Sequence, residues 1–145
     1  VRMIDMGVEP FLICSSVLVV IAQRLLRKLC DKCKEPFEPP DYLANKIGLT
    51  QLSLGKKGTF FKSKGCEHCF GLGYKGRVGI TEIMVLSPAV KKLILGHAGE
   101  FRLKEVARQE GMVTMREDAL RKAAMGLTSI EEVLRVTSLD EERDK

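Results

Sequence analysis

Four of the five cysteines in this chain fall in two closely spaced pairs. The pairs are Cys30 with Cys33 and Cys66 with Cys69, each separated by two residues. A Cys-x-x-Cys turn brings two sulfur atoms to one side of a tight loop, and two such turns can complete a closed shell of four sulfurs. Zn²⁺ suits that shell because it is borderline-soft, does not change redox state and accepts tetrahedral geometry. The spacing therefore predicts a structural zinc site whose ligands are Cys30, Cys33, Cys66 and Cys69.

The segment between the two pairs is longer than in most zinc ribbons. Positions 34–65 separate Cys33 from Cys66, whereas about 15–20 residues is the usual spacing. The entropy of closing a loop rises only slowly with its length, so this insert does not exclude a shared metal. The fifth cysteine, Cys14, lies alone in an apolar run and is interpreted as a small buried side chain.

Two other interpretations of the paired cysteines stay open on the sequence alone. One is a thiol redox switch, but such a site needs one reactive pair at a helix start after a strand, and here there are two pairs that follow no clear strand. The other is a basic zinc ribbon that binds nucleic acid, which the formal charge of +5 permits. Because the basic residues are spread along the chain and only 6% of residues are aromatic, we expect no nucleic-acid partner.

The composition is that of a soluble globular protein. The chain has 145 residues, of which 45% are hydrophobic and 30% charged, and this balance excludes collagen-like, coiled-coil and largely disordered chains. The longest apolar run, residues 11–22, is shorter than the about 20 residues that a membrane-spanning helix needs, so we predict no transmembrane segment. No basic stretch precedes the run and no small-residue cleavage site follows it, so it is not interpreted as a signal peptide.

Residues 10–29 are predicted to form one helix. Pro10 suits a first helical turn, the segment is apolar on almost every side as far as Gln23, and its basic residues lie near the end, where a helix favours positive charge. The run is also rich in β-branched residues, so a buried strand is the rival interpretation, although the length favours the helix. Such an apolar helix would be buried on most of its faces.

The rest of the chain predicts short strands followed by helices. Phe60 and Phe61 are typical of a short strand, and residues 77–86 of another. Ser87-Pro88 is a start signal that predicts a helix over 88–95, and a second helix is predicted over 100–110. Two capping boxes predict one helix from Thr114 to Gly126 and another that begins at Thr128. The predicted fold class is α+β, mainly α, with helical segments and a small zinc-stabilised module of loops and strands.

No catalytic motif is found in the sequence. The nearest approach to a phosphate-binding loop, residues 48–57, has six residues rather than four between its glycines, and Lys57 stands where a Ser or Thr must hold Mg²⁺. The two histidines, His68 and His97, do not suggest a catalytic pair, and the motifs of lipases, zinc proteases and dinucleotide-binding enzymes are absent. We therefore predict that this chain is not itself an enzyme.

Several stretches resemble one family of ATPases. They are Arg-Met-Ile-Asp-Met-Gly-Val-Glu-Pro-Phe-Leu-Ile at 2–13, Ala-Gln-Arg-Leu-Leu-Arg-Lys-Leu-Cys at 22–30, the glycine-rich stretch at 65–82, and the segments 111–122 and 126–137. These motifs and their order along the chain are similar to those of the type II secretion ATPases (general secretion pathway protein E) and of their relatives, the type IV pilus assembly ATPases. The resemblance covers residues 1–137, and in it the four zinc ligands of the family match the two cysteine pairs.

This resemblance implies a longer parent protein. The parent would be a hexameric cytoplasmic ATPase with a RecA-like core, peripheral to the bacterial inner membrane through its partners, and would power extension of a pseudopilus or pilus. Its partners would be the neighbouring subunits of a homohexamer and inner-membrane platform proteins. ATP and Mg²⁺ would be cofactors of the parent only, because the Walker motifs of the family precede the region that this chain resembles. The catalytic residues of the family carry over onto no position here.

The same resemblance implies four consecutive stretches. Residues 1–29 would be the C-terminal helix of the ATPase core, 30–76 the tetracysteine zinc-binding module, 77–137 the C-terminal helical subdomain and 138–145 a charged tail. We therefore expect a piece of a RecA-like traffic ATPase that lacks the nucleotide-binding core. Its role would be structural and coupling rather than catalytic, with Zn²⁺ as its cofactor.

Overall fold

The computed structural model describes residues 2–48 and 60–141, which contain both helices and strands. The helices are α1 (Arg2–Asp5), α2 (Pro10–Ser16), α3 (Asp41–Lys46), α4 (Pro88–Leu95), α5 (Glu100–Gln109), α6 (Met115–Ala124) and α7 (Ile130–Glu141). The strands are β1 (Val19–Leu29), β2 (Glu35–Phe37), β3 (Phe60–Lys62) and β4 (Tyr74–Val85). The mixed helix and strand class is thereby confirmed. Within the described ranges, no helix has the length and apolarity needed to cross a bilayer.

The prediction of a single helix over residues 10–29 is wrong. Helix α2 ends at Ser16, and the second part of the run forms β1, which pairs with β4 in a two-stranded sheet. A buried strand was the rival interpretation; this part is a strand, but most of its residues are exposed rather than buried. The stretch from Val17 to Ile21 is dense in β-branched residues, which crowd the preceding turn of a helix but fit a pleated strand. Pairing with β4 adds to that preference.

Much of this apolar run is exposed to solvent. Phe11 and Leu12 on α2 and Leu18 and Ile21 at the start of the sheet are each more than half exposed. Several exposed large apolar side chains close together in sequence are typical of a surface that contacts another part or partner. The apolar surface of residues 10–29 is therefore carried by a helix followed by a strand.

The described residues form two compact units, each built from separate stretches of chain. The first unit takes in 2–22 and 81–114. Its core consists of Ile13, Cys14, Leu86, Val90, Ile94 and Leu103. Helix α4 begins as predicted, because the Ser87 Oγ accepts a hydrogen bond from the Val90 N–H at 3.2 Å and Pro88 follows at the first helical position. Cys14 is buried here, as predicted.

The second unit takes in 23–48, 60–80 and 115–141, and it contains both cysteine pairs. Strands β2 and β3 pair antiparallel, with Glu35 opposite Lys62 and Phe37 opposite Phe60, which confirms the strand predicted at Phe60. The core of this unit consists of Leu26, Ile47, Phe60, Ile80, Met115, Ala119, Leu120, Ala123, Ile130 and Val133. Six of these ten residues lie on α6 and α7, and both helices pack against β3, which precedes the second cysteine pair.

The capping residue of α7 is one position later than predicted. Ser129, not Thr128, caps the helix, and its Oγ accepts a hydrogen bond from the Glu132 N–H at 3.1 Å. The Thr128 hydroxyl instead donates to the Arg27 carbonyl at 2.9 Å, which fixes the chain just before the helix. The helix then continues to Glu141, so the predicted charged tail begins inside α7. Positions 142–145 of that tail lie outside the described residues, as do positions 49–57 of the loop compared above with a phosphate-binding motif.

Candidate metal centre

The structure brings together the four cysteines that the spacing singled out. Their Sγ atoms all lie within 4.8 Å of one another. The Cys30–Cys66, Cys33–Cys69 and Cys66–Cys69 sulfur pairs are 3.9, 3.8 and 3.7 Å apart. Four sulfurs at about 2.3 Å from a central ion in tetrahedral geometry would be about 3.8 Å from one another. The donor set therefore fits a tetrahedral ion, while the distances far exceed the about 2.0 Å of a disulfide.

Each pair sits in a tight turn made by its own backbone. The first pair follows the end of β1, where the Cys30 carbonyl accepts hydrogen bonds from the N–H groups of Cys33 at 3.2 Å and Lys34 at 3.1 Å. In the second pair, a single 3₁₀ turn spans Glu67–Cys69, and the Cys66 carbonyl accepts from the N–H groups of Cys69 and Gly71. Both turns therefore direct two sulfurs to one side, as the Cys-x-x-Cys spacing predicts.

The two turns are also joined directly to each other. The Cys30 N–H donates to the Gly73 carbonyl at 3.0 Å, and β2 pairs with β3 just beyond the first turn. The Gly73 N–H in turn donates to the Cys69 Sγ at 3.1 Å. These bonds hold the two turns in register, so the fold places the two pairs of sulfurs side by side.

The sulfurs of the cluster differ in their readiness to lose a proton. Burial disfavours the Cys69 thiolate, but backbone N–H groups of Cys66 and Gly73 point at its sulfur and together lower its pKa to about 6. Burial and the neighbouring sulfurs raise the pKa of Cys33 to about 12, against a smaller opposing effect of the Gly65 N–H. Cys69 therefore loses its proton more readily than Cys33, and binding of an ion to thiolates at this site releases protons.

Two glycines in the second turn differ in what surrounds them, and they give a matched test of the packing. Gly65 has φ of +103°, and a Cβ there would lie 2.5 Å from the Gly71 oxygen. Gly71 has φ of +76°, but a Cβ there meets nothing within 4 Å. We expect Gly65→Ala to lower the free energy of unfolding by at least about 2 kcal/mol, and Gly71→Ala by about 1 kcal/mol, because only the first adds a backbone clash to the strain. Denaturant unfolding measures both, and equal losses would contradict the packing.

A buried carboxylate lies in the same unit, and the sequence did not single it out. Glu132 on α7 is 0% exposed, and its oxygens accept hydrogen bonds from the Arg27 backbone N–H at 2.9 Å, from the Arg27 guanidinium at 2.7 and 2.9 Å, and from Arg135 at 2.6 and 2.8 Å. The Arg27 guanidinium also lies 4.3 Å from the centre of the Tyr74 ring. The Tyr74 hydroxyl and the Ser129 Oγ are hydrogen-bonded at 2.7 Å. The three-residue spacing of Glu132 and Arg135 is the only sequence signal of this cluster.

The lowered pKa of Glu132 predicts a loss of stability in acid. Burial works against the carboxylate, but hydrogen bonds from Arg135 and Arg27 outweigh it and bring the pKa to about 2, against an ordinary value of 4.5. Below pH 4.5 the unfolded chain therefore takes up a proton that the folded chain does not, so the contribution of Glu132 decreases until about pH 2. The urea concentration at which half of the chains are unfolded should differ between wild type and Glu132→Gln, and this difference should decrease as the pH falls from 4.5 to about 2. A difference that stays constant would contradict the assignment.

Comparison with known proteins supplies the context of this centre. A family model described as "Type II/IV secretion system protein" matches residues 1–135. The chain belongs to this family. The match covers both cysteine pairs, Glu132 and the first half of α7, so the cysteine cluster lies inside the region that relates the chain to type II/IV secretion system proteins. The family resemblance drawn from the sequence is thereby confirmed.

Individual relatives come from both branches of the family. The type IV pilus assembly ATPase PilB of Thermus thermophilus is 40% identical over 133 residues, which is 92% of this chain and 15% of that protein. The type II secretion system ATPase E of Vibrio cholerae is 43% identical over 138 residues, 94% of this chain and 26% of that protein. PilB of Pseudomonas aeruginosa is 43% identical over 138 residues, 94% of this chain and 24% of that protein. The chain thus spans less than a third of the length of each of these relatives.

Proposed function

We propose that Cys30, Cys33, Cys66 and Cys69 bind one structural Zn²⁺ ion. The observation that carries the proposal is the sulfur geometry, because separations of 3.7–3.9 Å are those of a tetrahedral thiolate site. Four protein ligands leave no open position for water or substrate, so the ion acts in folding rather than in catalysis. When bound, it supplies Lewis-acid charge that replaces the thiol protons and links the two turns.

We further propose that the full-length protein is an ATP-hydrolysing motor of type II secretion or type IV pilus assembly. Relatives of both kinds carry the name ATPase, and they align with this chain over nearly all of it. In that protein, ATP and Mg²⁺ would bind to a RecA-like core, and residues 1–145 would not be catalytic. The chain would hold a zinc-stabilised arm against that core and pass its movements to neighbouring subunits of a homohexamer or to an inner-membrane platform. It would act on the cytoplasmic side of the membrane.

The four stretches expected from the sequence keep their proposed roles in the parent. Residues 1–29 would belong to the ATPase core, and their exposed apolar side chains on α2 and β1 support a packing role there. Residues 30–76 would form the tetracysteine module, 77–137 the helical subdomain and 138–145 a charged tail. The proposal predicts that Phe11 and Leu18 become buried in a longer protein that also contains the ATPase core. Hydrogen-exchange or footprinting measurements can detect this loss of exposure.

Metal content tests the proposal directly. Elemental analysis of the reduced, folded chain should find one zinc per chain, and Co²⁺ substituted for zinc should give the absorption bands of tetrahedral thiolate coordination. Cys66→Ser should abolish stoichiometric binding, whereas Cys14→Ser should leave it unchanged because Cys14 lies in the other unit. A folded, reduced chain without bound metal would overturn the zinc assignment and favour the thiol redox switch. Salt-sensitive binding to DNA or RNA would instead favour the nucleic-acid ribbon.

A further inference from the structure

Two short connections link the cysteine cluster to the buried carboxylate on α7. Along β1, Arg27 precedes Cys30 by three residues, and the Arg27 guanidinium and N–H both donate to Glu132. After the second cysteine turn, Tyr74 directly follows Gly73, whose N–H donates to the Cys69 sulfur. The backbone that enters the first cysteine turn and the backbone that leaves the second are therefore each fixed within a few residues of Glu132 and its partners.

The turn between α6 and α7 strengthens this link with three more hydrogen bonds. The Leu29 N–H donates to the Leu127 carbonyl at 2.9 Å, immediately before the first cysteine. The Thr128 hydroxyl donates to the Arg27 carbonyl at 2.9 Å, and the Lys34 ammonium donates to the Gly126 carbonyl at 3.0 Å, immediately after that cysteine turn. Hydrogen bonds to the turn that precedes α7 therefore lie on both sides of the first cysteine turn.

Glu132 is the group on which these contacts converge. It accepts from the backbone of β1, from the side chain that stacks on Tyr74, and from Arg135 of its own helix. Its backbone N–H also donates to Ser129, which holds the Tyr74 hydroxyl. Loss of the carboxylate at this position would remove the anion to which the Arg27 guanidinium, stacked on the Tyr74 ring, is bonded.

We propose that Glu132 is a positioning residue for the cysteine cluster, which sets the backbone that enters the turn of Cys30 and the backbone that leaves the turn of Cys69, and so couples metal binding to the order of α7. The proposal rests on the proposed metal site and adds the contacts through which metal binding affects α7. Coupling of this kind is reciprocal, so order at the start of α7 that favours metal binding is itself favoured by the bound metal by the same free energy.

The test compares two variants of neighbouring buried residues on α7. Glu132→Gln removes the charge that holds Arg27, whereas Val133→Ala only removes apolar volume from the core and has no hydrogen bond to either cysteine turn. Zinc affinity is measured by competition with a chelator, and Co²⁺ spectra report the geometry of the sulfur shell. We expect Glu132→Gln to weaken zinc binding about tenfold, at the low end of the effect of groups that orient metal ligands. Val133→Ala should lower the melting temperature with unchanged affinity.

A second readout separates positioning from general loss of stability. In the wild type, zinc should slow hydrogen exchange at the amides of Arg27, Leu29 and Glu132, and Glu132→Gln should abolish that zinc-dependent protection at the start of α7. Failure of the wild type to bind zinc or Co²⁺ would overturn the proposed metal site itself. Normal binding by the wild type together with equal affinity in Glu132→Gln, or an equal loss in Val133→Ala, would overturn the positioning role alone.

A milder variant keeps the test decisive if Glu132→Gln fails to fold. Tyr74→Phe removes only the hydroxyl that bonds to Ser129 and leaves the ring beside Arg27. We expect a severalfold weaker affinity for zinc, with a tetrahedral Co²⁺ spectrum retained. Tyr42→Phe is its control, because Tyr42 is an exposed tyrosine on α3 of the same unit. Equal zinc affinity in the two tyrosine variants would contradict the proposed coupling.

Discussion

Removal of the metal should unfold the cysteine-bearing segments before any other part of the chain. Structural zinc contributes about 10–16 kcal/mol of apparent folding free energy in small zinc modules. Around the two turns, few large apolar side chains are buried, and Phe60 is the main one. Because hydrophobic burial cannot replace the ion there, chelation should expose the amides of residues 30–37 and 60–73 to rapid exchange. Hydrogen-exchange mass spectrometry with and without a chelator measures this directly.

Substitution of a single cysteine should reproduce the effect of the chelator. Cys69→Ser should have the largest effect. The Cys69 sulfur is buried and accepts hydrogen bonds from two backbone N–H groups, which would remain when a metal binds. Cys14→Ser is the matched control, since Cys14 is a buried cysteine that packs in the other unit. We expect that control to lose stability without any effect on exchange in the cysteine turns. Unaltered exchange in Cys69→Ser or after chelation would show that the turns fold without a metal.

The clustering of the four cysteines is the part of this molecule that sequence reasoning predicts best. Cys-x-x-Cys spacing fixes the geometry of each pair locally, and only the meeting of the two pairs depends on the fold. Their sulfurs do meet, within 4.8 Å. The helix starts at Ser87-Pro88 and after Thr114 are equally local signals, and α4 and α6 begin there. Where a residue pattern determines its own turn or cap, the sequence suffices.

The errors arise where distant residues decide the outcome. The run after Ser16 becomes β1 because it pairs with β4, which lies more than forty residues later in the chain. Glu132 reads as a solvated residue in the first turn of a helix, and its burial depends on Arg27, 105 positions earlier. Thr128 and Ser129 are equally good capping residues, and the bond from Thr128 to β1 leaves Ser129 as the cap. Each case is a tertiary contact that outweighs a weak local preference.

Loss of the Glu132 carboxylate should be among the most destabilising single changes in the chain outside the cysteines. Glu132→Ala removes five hydrogen bonds to charged or backbone donors and leaves an apolar cavity beside two guanidinium groups. Arg27 and Arg135 are 46% and 56% exposed, so water can partly solvate them once the carboxylate is gone. We therefore expect a loss of about 3 kcal/mol, at the lower end of the cost of breaking a buried ion pair. Urea unfolding of the zinc-loaded chain measures it.

The neighbouring residue Glu131 provides the control for this prediction. It occupies the same first turn of α7 and carries the same charge, but its side chain is exposed. Glu131→Ala therefore removes only the favourable interaction of an acidic residue with the helix N-terminus, which is worth less than about 1 kcal/mol. A large difference between these adjacent glutamates would show that the hydrogen bonds to β1, rather than negative charge at the helix start, stabilise α7. Equal small losses would mean that Arg27 and Arg135 do not hold Glu132 in solution.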